Sequence, residues 1–199
     1  MTTGARPASS SEAARILLDA EALQRTLHRI AHEIIEANAD LGCVALVGIH
    51  TRGVSLAHRL RRLIAEFSGV EVELGTVDIT FYRDDVQVRG GEAPIHPQPL
   101  VRATKLDFPL EGRTCILVDD VLYTGRTIRA AIEALFDYGR PERVQLAVVA
   151  DRGHRELPIR PDYVGKNLPT SRTERVNVHV EELDRIDEVR ITENAEVVA

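Results

Sequence analysis

A chain of 199 residues, with 44% hydrophobic and 28% charged residues, is typical of one globular domain with a substantial buried core. Its longest apolar runs have the length of a strand, so the sequence predicts no membrane-spanning helix and no membrane partner. The net charge of −6 is uneven, because seven acids face two arginines from Glu181 onward, whereas residues 152–175 carry six basic residues against three acids. An acidic total is therefore compatible with a basic surface for an anionic partner.

The start of the chain predicts a cytoplasmic protein, and the two cysteines predict neither a disulfide nor a metal site. Residues 1–15 are small and polar without an apolar segment, which predicts a disordered leader rather than a secretory signal. We expect one domain over residues 16–192 and an acidic tail over 193–199. Cys43 and Cys115 each lie in an apolar run, so we predict that both are buried and that they form neither a disulfide nor a metal site.

The first half of the chain alternates between helical and strand patterns. Apolar residues at helical spacing predict an amphipathic helix over residues 19–37, with Asp19 as its N-cap. The run CVALVGI (43–49) predicts a strand that is covered on both faces, and residues 54–67 predict a second helix. Residues 70–82 are rich in β-formers and predict a strand or one arm of a hairpin.

The second half continues the alternation. Residues 83–107 are rich in proline, glycine and charge, which predicts a long loop or arm. The runs TCILV (114–118) and VQLAVVA (144–150) predict two more buried strands, with a helix over residues 127–138 between them. Residues 151–175 predict loop and a short strand, and the remainder predicts one edge strand before the tail. The alternation predicts an α/β fold whose parallel sheet has helices on both faces.

The run DDVLYTGRT (119–127) joins a predicted buried strand to a helix through a turn of small residues. Unpaired backbone N–H groups and the helix dipole make such a turn an anion site, and phosphate is its usual ligand. Two carboxylates would repel that phosphate, but they can accept hydrogen bonds from a sugar diol and hold Mg²⁺. The arrangement suits a phosphorylated sugar. In the alternative interpretation, two aspartates merely end a strand and cap a helix.

A second turn of the same kind follows the strand over residues 43–49. His50, Thr51, Arg52 and Gly53 supply a hydroxyl, a guanidinium and a flexible backbone where a strand feeds a helix. In isolation TRG would predict only a surface turn. The run at 119–127, preceded by CILV, closely resembles the phosphoribosyl-pyrophosphate motif of type I phosphoribosyltransferases, and HTRG resembles the pyrophosphate loop of that family, which often contains a non-proline cis peptide.

Longer stretches make the resemblance more specific. They are RIAHEIIEAN (29–38), VGIHTRG (47–53), DITFYRDD (78–85), ILVDDVLYTGRT (116–127) and QLAVVADRGHRELPIRPDYVGKNLPTS (145–171). Together they resemble the PyrR family of bacterial pyrimidine operon attenuation proteins, which are also uracil phosphoribosyltransferases. The resemblance covers residues 16–192, and DRGHRELPIRPDYVGKNLP is its most specific part.

The resemblance implies a fold and a reaction. The fold is that of type I phosphoribosyltransferases, with a mainly parallel central sheet, flanking helices, a small hood and a flexible arm. In the reaction, uracil and phosphoribosyl pyrophosphate give UMP and pyrophosphate with Mg²⁺. Positive charge develops on the ribose as its C1–O bond to pyrophosphate breaks, so the protein must mainly position the reactants and neutralise the leaving group.

The resemblance also implies roles for residues at matching positions. Arg52, with Thr51 beside it and Mg²⁺, would neutralise the pyrophosphate, while Asp119 and Asp120 would hold the ribose hydroxyls and the water shell of the metal. The 5′-phosphate and neighbouring ribose would contact Val121, Leu122, Tyr123, Thr124, Gly125, Arg126 and Thr127.

Three further positions complete the implied substrate site. Arg83 would begin the flexible arm, and the uracil would lie at Arg152 and near Val176, beneath the hood. Arg152 follows the predicted strand over residues 144–150, at the carboxyl end where ligands bind in open α/β sheets.

The family also binds a hairpin in the leader of pyrimidine (pyr) mRNA when UMP is present. Unstacked loop bases suit arginine, histidine and other hydrogen-bonding groups. The matching residues here are Arg29, His32, His154, Arg155, Arg160 and Lys166. Two positions depart from the family, since His28 stands where threonine is usual and Ala37 where arginine is usual. Loss of that arginine would weaken RNA binding or direct it to a different RNA loop. In the alternative interpretation, the six matching residues form only a solvated basic surface.

Three hypotheses therefore remain open. The first is an RNA-binding attenuator controlled by UMP, which the basic residues between 152 and 175 favour. The second is a uracil salvage enzyme without RNA control, which Ala37 favours. The third, a binding module with a degenerate active site, is disfavoured by the intact run at 119–127. The family forms homodimers that assemble further, so we expect a dimer or a higher oligomer.

Overall fold

Eight β-strands and four α-helices lie in the part of the chain that the computed structural model describes, residues 14–80, 82 and 103–193. The strands are β1 (Arg15–Leu18), β2 (Val44–Ile49), β3 (Glu73–Val77), β4 (Thr114–Leu122), β5 (Arg143–Asp151), β6 (Tyr163–Asn167), β7 (Glu174–His179) and β8 (Glu188–Glu193). The helices are α1 (Ala20–Ala37), α2 (Arg52–Ser68), α3 (Arg126–Phe136) and α4 (Glu181–Asp184). No helix among these described residues is long and apolar enough to cross a membrane.

Five parallel strands form the central sheet in the order β3-β2-β4-β5-β6. The chain leaves β2 towards β3 on one side and continues through β4, β5 and β6 on the other. The order therefore reverses beside β2 and β4, and in open α/β sheets ligands bind outside the carboxyl ends of the strands at such a point.

The sheet is covered on both faces because its central strands carry apolar side chains on both. In β2, Val44 and Leu46 pack into the core formed with α1 and α2, whereas Ala45, Val47 and Ile49 pack into the core formed with α3. All six residues of β2 are buried. The amphipathic helix α1 begins after Asp19, whose carboxylate accepts the N–H of Ala22 at 2.8 Å, as an N-cap does.

A second, antiparallel sheet forms the hood, in the order β1-β8-β7. Its inner residues, including Val176, Val178 and Ile191, join the core on the α1 and α2 side of the central sheet. The short helix α4 lies between β7 and β8. Arg59 of α2 fastens this end of the hood through paired hydrogen bonds to the carboxylates of Glu182 and Asp187, at 2.7–2.8 Å.

The predicted fold class is confirmed, and most predicted elements occur with small shifts of their ends. The helix expected over residues 19–37 is α1, and the strand expected over 43–49 is β2. The alternative left open for residues 70–82 is decided, because β3 is a parallel strand beside β2 and not a hairpin arm. Arg83 and most of the predicted arm lie outside the described residues, as do residues 1–13 of the leader and 194–199 of the tail.

Three predictions about local structure were wrong. β4 does not end at residue 118 but continues through both aspartates to Leu122, because its pairing with β5 extends to Asp151. The last part of the chain contains two strands and a helix instead of one edge strand. Cys43 is exposed, since it ends a short 3-10 helix before β2 and its thiol donates to Asp40, whereas Cys115 is buried as predicted.

Candidate active site

Two strand-to-helix turns lie side by side at the carboxyl ends of β2 and β4. The first turn comprises residues 50–53 and leads into α2. The second turn comprises residues 122–127 and leads into α3. Because β2 and β4 are neighbouring parallel strands, with Gly48 in register with Val118, both helix N-termini meet the same edge of the sheet. Each supplies backbone N–H groups and a positive dipole end, so the pair is suited to a ligand with two anionic ends.

The first turn contains a cis peptide bond between His50 and Thr51, which the sequence resemblance anticipated. Gly53 brings the start of α2 against β4. A Cβ atom on Gly53 would lie 2.2 Å from the carbonyl oxygen of Val118, which is far inside contact distance. Only glycine therefore allows this approach, and it places the first turn next to the two aspartates.

Asp119 and Asp120 lie between the two turns, at the end of β4. Asp119 is buried, with 7% of its surface exposed, and accepts the N–H of Asp120 at 2.9 Å. Asp120 accepts the N–H of Val121 at 2.8 Å. Burial, and then the charge of Asp120, raises the pKa of Asp119 well above its usual value. Burial also raises the pKa of Asp120, while the N–H of Val121 and the charge of Arg52 oppose that rise.

The acid pair fits a magnesium ion held partly by water. No group of three or more histidine, cysteine or acidic side chains that could hold a metal occurs among the residues that are described. A complete protein cage is thus lacking in that part of the chain, and two adjacent carboxylates remain. Mg²⁺ is commonly bound by one or two carboxylates together with water and substrate phosphate oxygens.

The second turn owes its shape to Gly125, which has a φ of 94° and precedes α3. That conformation is costly for other residues but open to glycine. The N–H of Arg126 approaches the hydroxyl of Thr124 at 3.4 Å, and the side chain of Arg126 pairs with Glu156 at 2.7 Å. Thr127 lies in the first turn of α3. The side chain of Leu122 is buried in the core, so only the backbone of this residue can contact a ligand at the turn.

Arg52, the predicted pyrophosphate residue, is held by the hood. Its Nη2 and Nε donate to the two carboxylate oxygens of Asp184 at 2.7 and 3.0 Å. Asp184 also accepts the N–H of Val180 at 2.9 Å. The hydrogen bond from Arg52 lowers the pKa of Asp184, and the same bond raises the pKa of Arg52.

The predicted uracil residues lie around the loop that leads into the hood. Arg152 is buried, and its guanidinium lies 4.1 Å from the ring centre of Tyr123 in the second turn. It donates to the Thr170 hydroxyl at 3.2 Å and to the Ser171 carbonyl at 3.1 Å. Val176 is a buried residue of β7, and β7 approaches β4. Arg152 is therefore fixed between the second turn and the segment before β7.

Residues 153–160, here called the clamp segment, are fastened to the second turn. The carbonyl of Thr124 accepts the N–H groups of Glu156 and Leu157 at 3.0 and 3.2 Å. Arg155 donates to the Tyr123 carbonyl at 2.7 Å and to the Asp151 carboxylate at 2.5 Å. Two more of its hydrogen bonds go to the carbonyls at positions 153 and 159.

The predicted RNA residues fall into two groups. His154 accompanies Arg155 at the second turn, where its ring bonds to the Thr170 carbonyl at 2.6 Å and meets Tyr123 edge to face. Arg29 of α1 instead donates to the carbonyls of Val164 and Gly165 in β6, which places it beside exposed Lys166. Arg160 is exposed at the end of the clamp segment.

His28 and Ala37, the two positions that depart from the family, lie on α1 together with the predicted RNA residue His32. His32 stacks on Phe67 with ring centres 4.2 Å apart, and His28 meets the same ring edge to face at 5.5 Å. Ala37 is exposed at the end of α1. The histidines therefore form an aromatic cluster with α2, a contact that no local sequence pattern indicates.

Sequence reasoning also missed Asp184 and the bonding of Arg155. The ion pair between Arg52 and Asp184 joins residues that are 132 positions apart, and Asp184 is one of seven acids after residue 180, so nothing in the sequence distinguishes it from the others. A signal was available for Arg155, because Asp151 precedes it by four residues, but the direction of both side chains depends on the loop.

Comparisons with known proteins identify the family of this chain. The model of the phosphoribosyl transferase domain matches residues 14–184. "Bifunctional protein PyrR" of Thermus thermophilus is 58% identical over 177 residues, which cover 89% of this chain and 94% of that protein. "Bifunctional protein PyrR" of Chloroflexus aurantiacus is 55% identical over 175 residues, covering 88% of this chain and 93% of that protein.

Solved structures share the fold. The hypoxanthine phosphoribosyltransferase of Trypanosoma cruzi superimposes with a TM-score of 0.66 at 18% identity, covering 90% of this chain and 97% of that one. A hypoxanthine phosphoribosyltransferase of Staphylococcus aureus gives 0.64 at 20% identity, covering 92% and 94%. At these identities the likeness concerns the fold alone. The sequence matches over most of the chain show that it belongs to the PyrR family of phosphoribosyltransferases, which are enzymes of the glycosyltransferase class.

Proposed function

We propose that this protein is a UMP-responsive, RNA-binding regulator that controls pyrimidine (pyr) gene expression by transcription attenuation. We propose that it also converts uracil and phosphoribosyl pyrophosphate into UMP and pyrophosphate. The observation that carries the enzymatic part is the placement of two strand-to-helix turns on either side of an acid pair, of which Asp119 is buried and Asp120 is half-buried. The word "bifunctional" in the names of the PyrR relatives supports two activities in one chain.

In this proposal the two turns hold opposite ends of phosphoribosyl pyrophosphate. The 5′-phosphate accepts backbone N–H groups of the second turn at the start of α3. The pyrophosphate accepts hydrogen bonds from backbone N–H groups at the start of α2 and from the guanidinium of Arg52. A substrate held at both ends keeps its ribose beside the acids, so that orientation contributes much of the rate.

Asp119 and Asp120 act on the ribose. Their oxygens accept hydrogen bonds from the ribose hydroxyls, and their negative charge favours the positive charge that develops there as the C1–O bond breaks. Burial strengthens this interaction, because charges act more strongly in a site from which water is excluded. Mg²⁺, held by these carboxylates through water, would supply positive charge to the departing pyrophosphate.

Arg152 and Val176 form the proposed uracil site. Arg152 is fixed by its bonds to residues 170 and 171 and by the Tyr123 ring, and Val176 supplies an apolar surface from the hood. Uracil loses its N1 proton as N1 bonds to C1 of the ribose and the C1–O bond to pyrophosphate breaks, and the departing pyrophosphate accepts that proton. A fixed cation beside the pyrimidine favours the negative charge that develops on the base while the proton leaves.

The clamp segment supports the response to UMP. It is bonded to the second turn through Thr124 and Tyr123, where the 5′-phosphate of UMP would sit. Nucleotide binding would therefore stabilise the ordered arrangement of the segment that carries His154 and Arg160, which is the differential contact that coupling requires. Arg155 enters the proposal mainly as the residue that transmits this order, because its guanidinium already has acceptors inside the protein.

The proposed RNA face comprises Arg29, His32 and Lys166, together with the residues of the clamp segment. The proposed assembly is a homodimer or a higher oligomer. The proposed RNA partner is a nascent transcript, which places the function in the bacterial cytoplasm. A uracil salvage enzyme without RNA control is the second candidate, and exposed Ala37 favours it, because a phosphate-binding arginine is missing there.

An RNA titration tests the regulator. A fluorescent hairpin from the leader of the organism's own pyrimidine genes, and a scrambled hairpin, are titrated with and without UMP. We expect tighter binding of the native hairpin with UMP, and RNA must then tighten UMP by the same factor.

The chain offers a matched control for one RNA residue, because Lys166 and Lys105 are its two lysines and both are exposed. Lys166→Ala should lower the magnitude of the salt slope by about 0.7 to 0.9 per lost phosphate contact, whereas Lys105→Ala should leave it unchanged. If wild type binds native and scrambled hairpins equally at every UMP concentration, the regulator is rejected and the salvage enzyme is retained.

A further inference from the structure

The hood carries a carboxylate that occupies the guanidinium of Arg52. Asp184 is the last residue of α4, and both of its oxygens accept hydrogen bonds from Arg52, at 2.7 and 3.0 Å. The geometry is bidentate, the arrangement in which arginine binds carboxylates and phosphates most strongly. The side chains are 36% and 19% exposed, so solvent reaches the pair.

Two oxygens of one phosphate would bind the same guanidinium in the same way. Arg52 also lies near Asp120, whose negative charge contributes to raising the pKa of Arg52. The residue that the proposed function assigns to pyrophosphate therefore already faces acids from the hood and from the central sheet. A pyrophosphate group that binds the same edge of the guanidinium, formed by Nε and Nη2, must displace Asp184.

Resting on the proposed function, we infer that Asp184 is a built-in competitor of pyrophosphate, which holds Arg52 until the pyrophosphate group of a ligand displaces it. Asp184 is thus a specificity-determining residue. It lowers the affinity for ligands that carry pyrophosphate, namely phosphoribosyl pyrophosphate and free pyrophosphate. It leaves UMP unaffected, because UMP has no group at the first turn.

The rest of the hood is built to remain in place during this exchange. Glu182 and Asp187, on either side of Asp184, are bonded to Arg59 and not to Arg52. Asp187 also accepts the N–H of Glu181 at 2.8 Å, which fixes the start of α4. The exchange therefore needs movement only at the end of α4, where Asp184 also releases the N–H of Val180.

The exchange has a consequence for the two ligands of the protein. With UMP bound, Asp184 and Arg52 stay paired and α4 stays joined to the first turn. With phosphoribosyl pyrophosphate bound, the pair is broken and the end of α4 is released. The hood thus differs between the two liganded states, although both ligands place a 5′-phosphate in the second turn.

Calorimetric titration of pyrophosphate and of UMP, each with Mg²⁺, tests the inference in the full chain. Asp184→Asn should tighten pyrophosphate by about twofold to fivefold, the size expected for removing a partly exposed ion pair, and should change UMP by clearly less than twofold. Asp187→Asn is the matched control, since it removes an equal charge from the same hood at a residue that pairs with Arg59. Asp187→Asn should tighten pyrophosphate clearly less than Asp184→Asn does.

A double variant separates competition from general electrostatics. In an Arg52→Ala background, Asp184→Asn should no longer tighten pyrophosphate, because the competed group is gone. Persistence of the full gain there would show an effect of charge alone and would overturn the inference. Asp184→Ser, which keeps an acceptor for the Val180 N–H, replaces Asp184→Asn if the latter lacks a cooperative thermal transition.

The outcomes also distinguish this inference from the proposed function. If Arg52→Ala leaves pyrophosphate affinity unchanged, the pyrophosphate site itself is misplaced and both proposals fail. If Arg52→Ala weakens pyrophosphate but Asp184→Asn weakens it too, Asp184 orients Arg52 instead of competing for it. In that case the inference is overturned and the proposed function stands.

Discussion

The first and second turns use the same backbone device but depend on different supports. Each is a strand-to-helix turn with a buried glycine, and they lie at the ends of neighbouring strands. Gly53 is needed for space, because α2 touches the backbone of β4, whereas Gly125 is needed for its φ of 94°. The first turn is held through Arg52 by the hood, and the second by the clamp segment. The two proposed anion sites can therefore be disrupted separately.

The largest expected effect comes from the acids between the turns, which both halves of the site share. Asp119→Asn/Asp120→Asn should lower kcat for UMP formation by at least about 10²-fold to 10³-fold, the loss typical of removing one preorganised electrostatic group. The thermal unfolding midpoint of the variant shows whether the fold is intact. A folded double variant with wild-type kcat would contradict the assignment of the ribose to this pair.

Substitutions at Gly53 and Gly125 should destabilise the protein for different reasons, lack of space at Gly53 and backbone conformation at Gly125. Gly53→Ala forces a Cβ against the Val118 carbonyl and should destabilise the protein by about 1–3 kcal/mol or more, as overpacking does. Gly125→Ala meets neighbours only at 3.3–3.5 Å, so its cost should be the left-handed backbone alone, about 1–2 kcal/mol. Urea unfolding measures both.

Asparagine sharpens this comparison, because it tolerates the left-handed conformation better than alanine does. Gly125→Asn should therefore unfold at a higher urea concentration than Gly125→Ala. Gly53→Asn should be no better than Gly53→Ala, since its added Cβ meets the same carbonyl. Equal behaviour of asparagine and alanine at position 125 would show that backbone conformation does not explain that glycine.

The sequence predicted the elements that depend on local pattern and could not predict those that depend on distant pairing. The buried run at residues 43–49 and the amphipathic spacing of α1 were sufficient to identify β2 and α1. In contrast, β1 is a strand only because β8, more than 170 positions away, pairs with it. The extension of β4 through two aspartates was missed because charged residues argue against a buried strand unless the length of its neighbour is known.

The site followed the same rule. The motifs at residues 50–53 and 119–127 identified the two turns, because backbone shape and residue type are local there. The pairing of Arg52 with Asp184 and the stacking of His32 on Phe67 depend on how the hood and α2 pack. Arg83 stays a prediction, since it lies outside the described residues.

The single substitution Asp119→Asn should have a smaller effect on stability than on activity, and it should stabilise the fold while it lowers activity. Burial raises the pKa of Asp119, which means that the charged carboxylate destabilises the folded protein at neutral pH. Asp119→Asn removes that charge and can still accept the Asp120 N–H. Without Mg²⁺, its thermal midpoint should rise, by about 2–4 °C for each kcal/mol recovered. A lower midpoint would show that the carboxylate stabilises the fold.

The smallest expected effect concerns the reactivity of the two cysteines, which lie at the starts of β2 and β4. Their rates of modification by a thiol reagent measure how well each strand start is protected from solvent. Cys43 is exposed, whereas burial raises the pKa of the Cys115 thiol to about 11. A thiol reagent should modify Cys43 in the native protein and Cys115 only on unfolding, although the hydrogen bond to Asp40 raises the pKa of Cys43 and slows its reaction. Cys43→Ser should abolish the native signal. Rapid native modification of Cys115 would show that β4 opens locally.

The central claim is that the two turns bind opposite ends of one substrate, and paired titrations of pyrophosphate and UMP test it most directly. Arg52→Ala should weaken pyrophosphate by about tenfold to hundredfold, the value of a hydrogen bond to a charged group, and leave UMP within twofold. Arg155→Ala, which loosens the clamp segment on the second turn, should weaken UMP and leave pyrophosphate within twofold. If each variant weakened both ligands equally, the two turns would not be separate sites and the account would be contradicted.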